Sequence, residues 1–158
     1  MCARACVRAG EGIDLYDADI VVLFGGTNDV AYLSTIGTEN TNYNSINTDE
    51  TTFIGAIDGL IAYIKEQSPH CEVFICTLLP AQGSDRTYQQ MKPYNDAIRS
   101  ISEFMGVPLI DMHTLIGITP TMDFSEFYID NVHPNARGFA RIGKIIGAQL
   151  ENHMIMIN

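Results

Sequence analysis

Positive charge is scarce in this sequence. Nine lysine and arginine side chains face nineteen aspartate and glutamate side chains, giving a formal net charge of -10. A polyanion such as DNA or RNA meets a repulsive mean field, so nucleic acid is excluded as the expected partner. The acidic residues are scattered and form no block, which fits an ordinary solvated surface. No apolar run reaches the ~18 residues that a membrane-spanning helix needs. Cysteine is sparse as well: Cys2, Cys6, Cys71 and Cys76 are the full set. Cys71 and Cys76 share one extended run at an odd separation, so their side chains point to opposite faces and do not hold one metal together. A zinc site assembled from them with Cys2 and Cys6 is disfavoured against buried or incidental thiols, and neither a metal nor another cofactor is expected. No Gly-x-Gly-x-x-Gly or Walker pattern is present, which removes the sequence basis for a nucleotide or phosphate binder. Serine is missing from the early part of the chain, Ser34 being the first. Residues 1–8 contain Arg4 and Arg8 with no apolar stretch of signal-peptide length after them, so export is not inferred.

What is there reads as one domain over residues 1–158, with apolar residues at 46% and charged ones at 18%, enough to bury a sizeable core without staples. Residues 18–24 form a continuous apolar run stopped by Gly25 and Gly26, the pattern of a strand buried on both faces. Residues 71–79 before Pro80 have the same look, and residues 107–111 give a shorter third example. Between the first two runs, Phe53, Ile57, Leu60, Ile61 and Ile64 recur at helical spacing, with Asn47 and Glu50 as a capping pair and Pro69 beyond the exit. A second helix is expected to start near Pro93, to turn Ile98, Ile101 and Met105 inward and to end at Gly106. A third is expected over residues 136–151, with Asn135 as its cap, Phe139, Ile142, Ile146 and Leu150 on one face, and Gly138, Gly143 and Gly147 as close-packing positions. Alternating strands and helices argue an α/β layered domain with a parallel sheet. The polar connections 30–48, 83–87 and 113–128 follow strand C-terminal ends, where open α/β sheets bind ligands.

Two clusters carry chemistry. Gly25, Gly26, Thr27, Asn28 and Asp29 sit where the first strand ends; glycine lets backbone approach a ligand closely, and an asparagine amide can donate to a developing oxyanion. By themselves these are also ordinary turn residues. Asp130, Asn131, Val132, His133 and Pro134 come about a hundred residues later, just before a helix. An aspartate three residues before a histidine can turn its carboxylate onto imidazole Nδ1 and leave Nε2 free to take a proton from a hydroxyl. Asp111 and His113 at the end of the third strand are assigned structural roles rather than a metal cluster with Asp130 and His133. His70 and His153 read as surface residues. Tyr88, Met91 and Tyr94 could line a groove, but their helical spacing favours packing.

Gly26-Thr27-Asn28-Asp29 after a buried strand, together with Asp130-x-x-His133-Pro134, resembles the third and fifth sequence blocks of the SGNH/GDSL hydrolase superfamily, over roughly residues 14–150. The resemblance implies a flavodoxin-like three-layer α/β/α fold with a parallel sheet, and hydrolysis of a small-molecule acyl ester by a Ser-His-Asp triad. It implies His133 as general base, Asp130 as its orienting partner and Asn28 as the oxyanion donor. Gly26 and Thr27 would shape the turn, with Thr27 and Asp29 beside the substrate and Asp29 more a structural hydrogen-bond acceptor than a catalyst.

The departure matters equally. Members of that superfamily begin with a Gly-Asp-Ser motif after their first strand and add an oxyanion glycine in a second block, and neither is found here. Ser34 lies after the asparagine turn, in the wrong place for the nucleophile, and Cys2 or Cys6 lacks the surrounding strand and elbow. The expectation is a chain that omits the nucleophile block and the first strands of the fold, inactive alone. It would expose the edge of the strand at residues 19–24 and form a homodimer by edge pairing or by exchange of residues 1–13. An alternative is a non-catalytic module holding a small ligand or carbohydrate on the same fold, though such a module has no need of an oriented imidazole base.

Overall fold

The computed structural model of the protein describes Leu15 and residues 18–157. Cys2, Cys6 and the segment proposed for exchange lie outside the described residues. Strand β1 (Ile20–Leu23) is followed by a short helix α1 (Thr27–Ala31), helix α2 (Phe53–Gln67) and strand β2 (Glu72–Cys76). Helix α3 (Tyr88–Met105), strand β3 (Leu109–Ile110) and helix α4 (Met112–Leu115) come next. A 3-10 turn (Phe124–Glu126), a hairpin of β4 (Tyr128–Asp130) and β5 (His133–Pro134), and helix α5 (Ala136–Ile157) complete the order.

β1, β2 and β3 form a parallel sheet in that order, with Val21 beside Val73 and Ile75 beside Leu109. Strand alternation divides the core into two layers. Val73, Ile75, Val21, Leu23 and Leu109 pack with α2 and α3, through Phe53, Ile61, Ile64, Ile98 and Ile101. Phe74, Cys76, Val22 and Ile110 pack on the other face with Met112, Phe124, Phe127 and Ile142. Helices therefore cover both faces, as the expected α/β/α architecture requires. Cys71 and Cys76 fall into opposite layers, both as free thiols. Burial pushes the Cys76 thiol up to about 12. No helix among the described residues is long and apolar enough to cross a membrane.

The structure corrects several local expectations. β1 was expected to be buried on both faces, yet Ile20 is exposed and Val21, Val22 and Leu23 are only partly covered, whereas β2 is buried from Val73 to Cys76. The reason is topological: among the described residues β1 has a neighbour on one side only. α2 is capped by Thr52, whose hydroxyl accepts from Gly55 N at 3.2 Å, and not by Asn47 with Glu50. α3 starts five residues before Pro93, because Thr87 and Gln90 form a capping box upstream and the proline sits inside the helix. Gly106 ends that helix in the left-handed conformation, as expected.

α5 runs past the expected end to Ile157, and Phe139 is exposed while Ile142 is buried and Ile145, Ile146 and Leu150 pack on the core. Asn135 does cap it, its Oδ1 accepting from Gly138 N at 3.0 Å. Of the three α5 glycines only Gly138 is a close-packing position: a Cβ there would lie 2.3 Å from the Phe127 carbonyl oxygen, whereas Gly143 and Gly147 face open space. His153 is not a plain surface residue, since its ring meets Phe74 edge-on at 5.0 Å. Met91 and Tyr94 belong to the core.

Candidate active site

The backbone leaves β1 through Phe24 and Gly25 and reverses at Gly26, which takes φ 110° as the cap of α1. A side chain there would be strained twice: the left-handed region disfavours a Cβ, and that Cβ would lie 2.8 Å from the Phe53 ring and 3.1 Å from Leu78. Beneath the turn, the Tyr94 hydroxyl lies 2.6 Å from the Ser34 carbonyl and 3.2 Å from that of Asp29, so one phenol ties α1 and the residues after it to α3. Tyr94 in turn meets Phe53 edge-on at 5.1 Å. Asp29 is buried in this frame, and Thr27 and Asn28 are half-buried above it.

Asn28 has a partner that the sequence reading missed. Arg86 Nη2 donates to Asn28 Oδ1 over 3.4 Å, and Arg86 Nη1 donates to Asp85 Oδ2 at 2.7 Å. The only available signal was the position of Arg86 in the polar connection 83–87 after β2, because the contact joins residues fifty-eight apart.

The second cluster forms on the β4–β5 hairpin, where Asp130 pairs with His133. Both carboxylate oxygens of Asp130 lie 2.9 Å from His133 Nδ1, and Oδ1 also accepts from the backbone N of His133 at 2.8 Å and of Val132 at 3.2 Å. The His133 backbone N–H, reinforced by its ring, holds the Asp130 carboxyl below its ordinary value. Bonding at Nδ1 leaves Nε2 as the ring atom available to a proton donor. The side chains are open to solvent, 72% exposed for His133 and 60% for Asp130.

The segment after β2 joins the two clusters. Gln82 N donates to Asn131 O at 2.9 Å, the Tyr128 hydroxyl donates to Pro80 O at 2.6 Å, and a Cβ added at Gly83 would lie 3.4 Å from the Val132 side chain. Arg86, three residues beyond Gly83 and bonded back to it (Arg86 N to Gly83 O, 3.1 Å), reaches Asn28. The turn 83–86 is thus bonded to the asparagine turn at Asn28, and the residue before it, Gln82, to the hairpin at Asn131.

Asp111 and His113 are occupied elsewhere. Burial opposes ionisation of Asp111, but hydrogen bonds from Thr77 at 2.8 Å and from Arg99 at 3.1 and 3.2 Å, with the arginine charge, hold its carboxyl below the ordinary range. The His113 backbone N donates to Thr77 Oγ1 at 2.9 Å, and its ring tilts against Tyr88. Among the described residues no group of three His, Cys, Asp or Glu side chains could hold a metal ion.

Residues 5–141 match the model of the GDSL-like lipase/acylhydrolase family. A multidomain esterase of Ruminococcus flavefaciens is 26% identical over 155 residues, which cover 94% of this chain and 17% of that protein. The chain therefore spans about a sixth of that relative's length. Two solved structures share the fold: a lipase/acylhydrolase from Enterococcus faecalis (TM-score 0.69, 18% identity, covering 97% of this chain and 72% of the other), and a GDSL-like lipase from Parabacteroides merdae (TM-score 0.72, 18% identity, covering 94% and 68%).

Proposed function

The chain belongs to the GDSL-like lipase/acylhydrolase family, and from that premise we propose that it carries the base and oxyanion side of a site that hydrolyses small acyl esters. His133 Nε2 takes the proton of a serine hydroxyl as the oxygen attacks the ester carbonyl, and returns it to the leaving alkoxide. Asp130 fixes the ring tautomer and offsets the imidazolium charge that forms. Asn28 Nδ2 donates to the carbonyl oxygen as it becomes an oxyanion, and a water activated by His133 then releases the acid. The observation that carries this reading is the contact of both Asp130 oxygens with His133 Nδ1 at 2.9 Å. A carboxylate clamped on one nitrogen of an exposed imidazole orients a base; it offers little to a binding module.

On the family resemblance the serine of that triad would belong to a Gly-Asp-Ser motif, which residues 1–158 do not contain. Ser34, the first in the sequence, follows the asparagine turn and has both backbone groups in the α1 frame. The expected result is p-nitrophenyl acetate hydrolysis no faster than that of His133→Ala. Extending the chain at its N-terminus with a strand ending in Gly-Asp-Ser should create activity that His133→Ala lowers by roughly 10³-fold or more. A serine that reacts with a fluorophosphonate in the extended chain, yet turns over ester equally well without His133, would overturn the assignment.

A homodimer is the second part of the reading, supported by β1 having, among the described residues, a neighbour on one side only, and by the exposure of Ile20 and Phe24 at 37% and 39%. Light scattering at micromolar concentration tests it, and a monodisperse monomer refutes it.

A further inference from the structure

The oxyanion role assigned to Asn28 depends on which end of its amide faces the site, and the structure holds a group that decides it. A guanidinium has donors only, so the amide atom turned toward Arg86 must be Oδ1, which sends Nδ2 away from it. Arg86 is itself held: its Nη1 is bonded to Asp85, its backbone N closes a turn onto Gly83, and only 15% of its side chain is exposed. Its Nε is buried without a partner. A surface arginine serving solubility alone would not keep a donor dry. From these contacts we infer that Arg86 is a positioning residue, which fixes the Asn28 amide with Nδ2 presented to the substrate oxygen.

Two consequences follow from the geometry. An amide whose oxygen is already engaged cannot flip to present Oδ1 to a developing negative charge, which would repel it. The residue leading into the turn 83–86 is bonded to the hairpin, Gln82 N donating to Asn131 O at 2.9 Å, so the segment that carries Arg86 is tied to the hairpin that carries the base. This inference rests on the hydrolase reading for its purpose, but the orienting contact can be measured without turnover.

The test is 15N relaxation of the Asn28 side-chain amide in the chain as it stands, assigned by its loss in Asn28→Asp. In the wild type the group should be rigid, with an order parameter near ~0.85, and in Arg86→Met it should fall below ~0.6, toward that of exposed Asn44. Arg86→Lys keeps a donor and should recover part of the rigidity. Backbone amides away from residues 27–30 and 82–87 should superimpose in both variants; Arg86→Gln replaces Arg86→Met if the latter does not fold. Titration with acetate, a carboxylate resembling the acid product, should shift the Asn28 amide in the wild type and lose that shift in Arg86→Met. An unchanged Asn28 order parameter in folded Arg86→Met overturns the inference. Acetate that moves neither Asn28 nor His133 in the wild type, while the order parameter still responds to Arg86, overturns the hydrolase reading instead.

Discussion

The turn at residues 26–29 and the hairpin at residues 128–134 both touch the segment after β2, but they are held in opposite ways. The turn is fastened from below by groups far away in sequence: Phe53 and Leu78 against Gly26, Tyr94 under Asp29 and Ser34, Arg86 on Asn28. The hairpin tip is fastened mainly by itself, through an aspartate that accepts from two backbone amides and one imidazole within three residues. Outside groups hold it at Asn131, which accepts from Gln82, at Tyr128, which donates to Pro80, and at its root, where Asn135 caps α5 and Gly138 lies against the Phe127 carbonyl. A group that must sit still while charge develops beside it is built into the core; a group that must exchange protons with water and substrate stands in solvent. Substitutions in the two regions should therefore separate stability from chemistry.

The largest effect is expected at Gly26. Gly26→Ala adds a left-handed backbone penalty and drives a Cβ into Phe53, for a loss of about 3 to 4 kcal/mol. Gly143→Ala in α5 meets nothing within 4 Å and should instead stabilise by about 0.5 to 1 kcal/mol through helix propensity. Urea midpoints of the two variants measure the contrast, and equal midpoints would remove the claim that the turn is fixed by its surroundings.

How much of this was legible in advance follows the same division. Runs of apolar residues announced β1 and β2, and the spacing of Asp130 and His133 announced their pairing, because both signals are local. Asn135 and Gly106 were legible for the same reason. Capping was misread where two polar candidates competed: Thr52 sits closer to the first buried residue, Phe53, than Asn47 does, and Thr87 with Gln90 outweighs the pull of Pro93. The coverage of the faces of β1 was misread from its composition, which is that of a strand with neighbours on both sides, although an open edge at that strand was expected. The Arg86 contact and the packing of His153 on Phe74 were illegible, since each joins residues distant along the chain.

The next effect is pH-dependent and belongs to the anchored region. Asp58 on α2 is buried, and its carboxyl is raised to about 6 by desolvation, against a hydrogen bond from Asn40 Nδ2 that favours the charged form. A raised acid binds more protons folded than unfolded between its ordinary value of 3.8 and about 6. Stability contributed by the protonated form is thus complete below that window and is lost as pH rises through it, by about 2 to 3 kcal/mol. Asp58→Asn keeps an acceptor for Asn40 without a charge, so it should flatten the slope between pH 4 and 6 and be the more stable protein at pH 7. A wild-type unfolding free energy that rises with pH across that window would contradict the burial argument.

The smallest effect is expected at the hairpin tip, and its sign is the reverse. Asp130 is held below its ordinary value by His133, so the unfolded chain takes up the proton first, and the stability this carboxylate adds is present above about pH 4 and lost as pH falls. Asp58 and Asp130 therefore pull the same curve in opposite directions, in windows that meet near pH 4. His133→Ala removes a side chain that is 72% exposed and should move the unfolding free energy at pH 7 by no more than about 0.5 kcal/mol. It should also remove part of the low-pH loss assigned to Asp130, since the ring bond disappears while the backbone bonds from Val132 and His133 persist. Guanidinium unfolding of wild type and His133→Ala at pH 3 and pH 7 checks both statements. A His133→Ala variant destabilised at pH 7 as strongly as Gly26→Ala would mean that the imidazole braces the hairpin, and the contrast between a built-in donor and a freestanding base would fail at its second half.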